Sequence, residues 1–227
     1  IQSITLLDLI HRVRLFVFIS RIRGYFLMIN KCSILIIFGT RPEAIKMAPV
    51  IFSLSDLLPG VEIVTCFSGQ HKDMAEDVIR FFEIPITYRL DVMTSQQSLS
   101  SLSGKLLEGV SDVIRKVRPD VALVHGDTTT AFIGTLACFY EHVPVFHVEA
   151  GLRTHKLDGP FPEEANRQLI SRLAFRHFAA TEGAVSNLLS ENILPADIEL
   201  TGNSVIDALY SACKKIDRSG SLRRSIN

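Results

Sequence analysis

The chain has 227 residues, 47% of them hydrophobic, and 24 Lys+Arg stand against 24 Asp+Glu. That length and apolar content suit one or two ordinary globular domains. A net charge of zero gives no electrostatic footprint for nucleic acid. No apolar run approaches the roughly 20 residues needed to span a bilayer, so neither a nucleic-acid partner nor membrane insertion is expected.

Residues 1–30 mix Phe and Ile with Arg12, Arg14, Arg21 and Arg23. They lack an apolar core followed by a small-residue cleavage site, which argues against a signal peptide. They read as a leader or non-native extension, with Met28 as a natural start, and a basic amphipathic surface helix is the alternative. The fold is expected over residues 31–213, with 214–227 as a frayed tail.

From Ser33 a regular alternation begins. Ser33–Phe38 is a short apolar run ending at Gly39 and reads as a buried parallel strand. Pro42 suits the first turn of the following helix, and Pro49 is expected to kink or restart it. A strand at 62–67, a helix at 73–82 and a strand at 84–90 interrupted by Pro85 follow. A Ser/Gln-rich loop leads to a helix ending near Val117. Then come a strand at 121–125, a helix at 128–140 and a strand at 143–148. A Gly- and Pro-containing loop precedes a helix at 163–175. A strand at 177–180, a helix after Gly183, a strand at 198–200 and a helix after Asn203 complete the series. This pattern predicts an α/β fold, a doubly wound parallel sheet with helices on both faces. The cysteines Cys32, Cys66, Cys138 and Cys213 are far apart with no CxxC, and three of them lie in apolar runs. They read as small core residues in a reducing, cytoplasmic setting.

A doubly wound sheet binds ligands at the carboxyl ends of its strands, so the residues just after each strand carry the chemistry. After the first strand, Gly39-Thr40-Arg41-Pro42-Glu43 is neither GxGxxG nor a P-loop. The helix start there still offers unpaired N–H groups to an anion, and Arg41 and Lys46 can add charge to a phosphate site. After the fourth comes His125-Gly126-Asp127-Thr128, in which Asp127 reads either as the cap of the next helix or as a functional acid. After the fifth comes Glu149 followed by Ala150-Gly151. The loop then delivers Glu163 and Glu164 into a helix, where acids in the first turn also complement the dipole. Three carboxylates and two cations at one sheet edge suit proton transfer near a diphosphate, because crowded carboxylates drive each other's proton affinities apart.

The segments GTRPEAIKMAP (39–49), HGDTTT (125–130), HVEAGLRT (147–154), FPEEANR (161–167) and TGNSVIDAL (201–209) resemble bacterial non-hydrolysing UDP-N-acetylglucosamine 2-epimerases. The resemblance covers about residues 31 to 213. It implies the N-terminal, Rossmann-like half of a two-domain architecture like that of GT-B glycosyltransferases. It also implies inversion at C2 of UDP-N-acetylglucosamine by elimination and re-addition of UDP. The positions matching the family's catalytic acids are Asp127, Glu149 and Glu163. Arg41 and Lys46 match positions near the substrate diphosphate. Gln70 and His71 resemble part of an activator site, and Asp73 departs from its pattern. No metal or redox cofactor is implied, and the family's habit allows a homodimer. The family's second domain, with its Gly-His-Arg-Arg-Glu segment, would follow residue 209, so the 227-residue chain alone is expected to have little epimerase activity. The alternatives are a non-catalytic fragment that binds nucleotide sugar weakly, a hydrolysing epimerase, and an epimerase of a related modified UDP-sugar.

Overall fold

The computed structural model describes residues 32–70, 72–94 and 96–219. The expectations for residues 1–30, for His71 and for 220–227 lie outside the described residues.

β1 (Cys32–Phe38) is apolar along its whole length because both of its faces are covered. Ile34, Ile36 and Phe38 enter one core cluster, while Leu35 and Ile37 enter another on the opposite face. A strand of this kind needs no polar alternation. The helix after it, α1 (Arg41–Leu57), opens with a capping box: the Thr40 side chain accepts from Glu43 N–H, and the Glu43 carboxylate takes the Thr40 N–H at 2.8 Å. α1 is one helix through Pro49 and does not restart there. Ala48, Pro49, Val50 and Ile51 are all buried, so packing offsets the hydrogen bond lost at the proline.

β2 (Val61–Phe67), α2 (Lys72–Phe82), β3 (Tyr88–Arg89) and α3 (Leu99–Val117) follow. The strand expected over 84–90 is corrected to two residues. Pro85 has no N–H to give, and the segment is tied to β2 through Thr65, with Thr87 N–H donating to Thr65 Oγ1 at 2.9 Å and to the Thr65 carbonyl at 3.2 Å. Next come β4 (Val121–His125), α4 (Thr129–Tyr140), β5 (Val145–Ala150), α5 (Glu163–Leu173), β6 (Arg176–Ala179), α6 (Glu182–Ser190), β7 (Ile198–Leu200) and α7 (Val205–Arg218). The helix α7 continues five residues beyond 213, and its Lys215 reaches Glu83 at 2.6 Å. Residues 214–218 therefore correct the expectation of a frayed tail.

All seven strands among the described residues pair in parallel, in the order β3-β2-β1-β4-β5-β6-β7. The chain order reverses between β1 and β4, which opens a crevice at their carboxyl ends. Cys32, Cys66 and Cys138 are buried, and Cys213 is exposed.

Candidate active site

The carboxyl ends of β1, β4 and β5 meet the starts of α1, α4 and α5 around a cavity of about 380 Å³. Three of its walls come from turns that only certain residues permit. Gly39 packs so closely that a Cβ there would lie 1.9 Å from Ser68 Oγ. Gly126 turns the chain after β4 with φ +65. At the end of β5 the ladder slips between Val148 and Ala150. Glu149 sits in that bulge with φ +60, a conformation costly for a residue with a side chain.

This bulge corrects the expected strand end. β5 starts two residues late, since Pro144 cannot donate to a ladder, and extends past Val148 to Ala150. Glu149 is thus inside the strand's irregular end and is aimed into the cavity by it.

Asp127, Glu149, Glu163 and Lys46 all line the cavity. Their surroundings differ. Lys46 Nζ lies 2.8 Å from Glu149 Oε1 and 2.7 Å from Oε2. His125 Nε2 approaches Glu149 Oε2 at 3.3 Å. Burial opposes ionisation of Glu149, but His125 and then Lys46 outweigh it, drawing the carboxyl down to about 2. Asp127 is gripped by α5: Arg167 Nη2 donates to Asp127 Oδ2, and Asn166 Nδ2 donates to its carbonyl at 2.8 Å. Thr128, not Asp127, is the cap of α4, its hydroxyl accepting from Ala131 N–H at 3.0 Å. The capping alternative for Asp127 falls away, because a neighbouring hydroxyl fills that role.

Glu163 and Glu164 are adjacent in sequence and opposite in use. Glu164 is fully buried and accepts from Thr154 N–H at 2.9 Å, His155 N–H at 3.2 Å and Arg167 Nη1 at 3.2 Å. It fastens the loop after β5 to α5. Glu163 lines the cavity with no hydrogen bond or ion pair among the described residues.

Arg41 is exposed and is not among the cavity's lining residues. Gln70 does line it, with its Oε1 accepting from Thr130 Oγ1 at 2.7 Å and Thr130 N–H at 3.2 Å. The residue matched to an activator site is therefore in the same cavity as the carboxylates.

The structure adds groups that motif reading passed over. Glu43 is 1% exposed and lines the cavity floor, its oxygens taking the Gly39 and Thr40 N–H groups and the Thr40 and Thr128 hydroxyls. Burial pushes its carboxyl up, and those hydrogen bonds and His125 oppose the rise. His125 opens the HGDTTT segment and Arg167 ends FPEEANR, but their roles depend on neighbours remote in sequence. Among the described residues no group of three His, Cys, Asp or Glu side chains could hold a metal ion, and no helix is long and apolar enough to cross a membrane.

A family model described as UDP-N-acetylglucosamine 2-epimerase matches residues 57–226. The chain belongs to that family. It is 47% identical over 195 residues to a UDP-N-acetylglucosamine 2-epimerase of Salmonella borreze, a match covering 86% of this chain and 51% of that protein. It is 46% identical over 193 residues to the corresponding protein of Escherichia coli strain K12, covering 85% and 51%. Among solved structures, the Neisseria meningitidis UDP-GlcNAc 2-epimerase bound to UDP-GlcNAc superposes with TM-score 0.80 at 45% identity, over 85% of this chain and 52% of that one. The Methanocaldococcus jannaschii enzyme in complex with UDP-GlcNAc and UDP superposes with TM-score 0.77 at 32% identity, covering 86% and 52%. The chain spans about half the length of the relatives it matches. The shared fold is the Rossmann-like unit of the GT-B-like architecture expected from the sequence.

Proposed function

We propose that the cavity binds the sugar and diphosphate of UDP-N-acetylglucosamine and that its carboxylates serve epimerisation at C2. One carboxylate takes the C2 proton, the C–H electron pair forms the C1–C2 double bond, and the C1–O bond to UDP breaks. UDP then adds back while a proton returns to the opposite face of C2, giving UDP-N-acetylmannosamine. Two proton-transfer groups on opposite sides of C2 are required, and each must change protonation during the cycle. The observation that carries this reading is that three carboxylates reach one cavity in three different environments.

Glu149, held charged between Lys46 and His125, is poorly placed to accept or release a proton and instead sets the charge of the site. Glu163, without a partner, and Asp127, entering from the β4 turn, are assigned the two proton transfers. Lys46 adds positive charge on the side where the diphosphate departs, which lowers the barrier to leaving.

Proton NMR of UDP-N-acetylglucosamine in D2O, with calorimetric titration of the same ligand, tests both parts. Saturable binding is expected, with deuterium entering C2 slowly but measurably. Glu163→Gln and Asp127→Asn are each expected to cut that exchange by about 100-fold or more. Absence of saturable heat would overturn the binding assignment. Binding with exchange no faster than in the Asp127→Asn/Glu149→Gln/Glu163→Gln triple variant would leave a nucleotide-sugar-binding unit and overturn the catalytic one.

A further inference from the structure

His125 stands beside Glu149 and carries no proton transfer in the scheme above. It ends β4, is 3% exposed, and lines the cavity. Its Nε2 makes no hydrogen bond of good geometry, although Glu149 Oε2 is 3.3 Å away. A buried ring nitrogen left in that state is costly unless it serves a neighbour. Titratable groups surround it from several elements. Glu43 and Lys46 come from α1, Asp127 from the turn after β4, His147 and Glu149 from β5, and Glu163 from α5. Within this ring Glu149 is the group that His125 approaches most directly, and Lys46 closes on the carboxylate from α1.

The backbone supports the same pairing. Glu149 reaches the cavity only because the β5 bulge holds it at φ +60. A residue in that conformation persists when its surroundings over-determine it. Lys46 and His125 supply two such restraints, from two different elements.

We propose that His125 is a positioning residue that acts through Glu149, fixing the carboxylate against the cavity wall and sharing its charge with Lys46. The consequence for catalysis rests on the C2 chemistry proposed above; the pairing itself does not. Lys46, Glu149 and His125 then form one unit in which loss of either basic partner loosens Glu149 and lets it gain a proton.

The test needs no sugar nucleotide. In the 227-residue chain with 13C-labelled glutamate side chains, the Glu149 carboxyl signal, assigned by its disappearance in Glu149→Gln, is followed against pH. In the wild type it is expected to titrate at about 2. In His125→Gln, and separately in Lys46→Met, it should move up toward the ordinary glutamate value of about 4.3. A merely structural histidine would not move it. An unchanged midpoint in a folded His125→Gln chain would overturn the proposal, even if Lys46→Met shifts it. Should His125→Gln fail to fold by circular dichroism, the ring 15N shifts of His125 are compared between wild type and Glu149→Gln. A clear change supports the pairing, and identical shifts overturn it. In the exchange assay, the acid limb of the pH profile should rise with the Glu149 midpoint. A limb that stays put while the midpoint moves would overturn the role in the reaction while the pairing stands.

Discussion

The two ends of this sheet bury different chemistry. Around β1, β2 and α1 the interior is mainly apolar, with Ile34, Ile36, Phe38, Met47, Ile51, Leu54 and Phe67 all fully buried and Glu43 the buried carboxylate at its edge. Around β5, β6 and α5 the interior also takes in charged and polar groups: His147, Arg153, Glu164, Arg167, Ser171 and His177 are each at most 9% exposed. The first region resembles any packed core, where stability follows the area removed from water. The second holds charges that are tolerable only in a connected network. Arg153 bonds Glu191, Ser171 and the Leu152 carbonyl, while Arg167 joins Glu164 to Asp127. The comparison teaches how differently the cavity's carboxylates are held. Asp127 is gripped from the polar side by Arg167 and Asn166, Glu163 is only carried there by α5, and the apolar side serves as the platform.

The sharpest way to break the contrast is to cut the network at its centre. Arg167→Met leaves Glu164 buried and Asp127 without its cationic partner, and a loss of about 3 to 5 kcal/mol is expected in urea unfolding. Ile36→Ala removes packing from the apolar end, where a cost of about 3 kcal/mol is expected, nearly independent of pH. The pH dependence itself divides the two regions. Burial drives the imidazole of His147 down to about 3 and that of His177 down to about 4, so both are neutral in the folded chain at neutral pH. Their folded values lie below the unfolded one, so their contribution is complete above about pH 6.5 and is lost as pH falls toward 4 and then 3. By pH 5.5 a loss on the order of 1 kcal/mol per histidine is expected from urea midpoints, and His177→Leu should flatten that slope. The smallest effect belongs to neither region. Arg80→Ala breaks an exposed pair with Asp77 on α2 and should change stability by less than about 0.5 kcal/mol. A cost as large as that of Ile36→Ala would show that surface pairs matter more here than the burial pattern allows.

The same contrast explains what could be read in advance. Apolar runs such as Ser33–Phe38 and Val121–His125 announce buried strands because local composition and period decide them. The missed boundaries lie where a single residue's hydrogen bonding intervenes: Pro85 shortens β3, Pro144 delays β5, and packing carries α1 through Pro49. For the site, order along the chain was enough to bring Asp127, Glu149, Glu163 and Lys46 to one edge of the sheet, because a parallel α/β alternation puts every strand's carboxyl end on the same side.

What the sequence determined by itself was the alternation, the sheet edge where the cavity opens, and the acids that line it. What only the tertiary structure decided was how each acid is held. Glu149 is drawn toward its charged form by His125 and by Lys46, the latter 103 positions away in sequence. Glu164 is structural and Glu163 is not, although they are neighbours on one helix. Glu43 is spent on the start of α1. These outcomes depend on burial and on partners distant in the chain, and a carboxylate's proton affinity is set by that surrounding field rather than by its place in a motif.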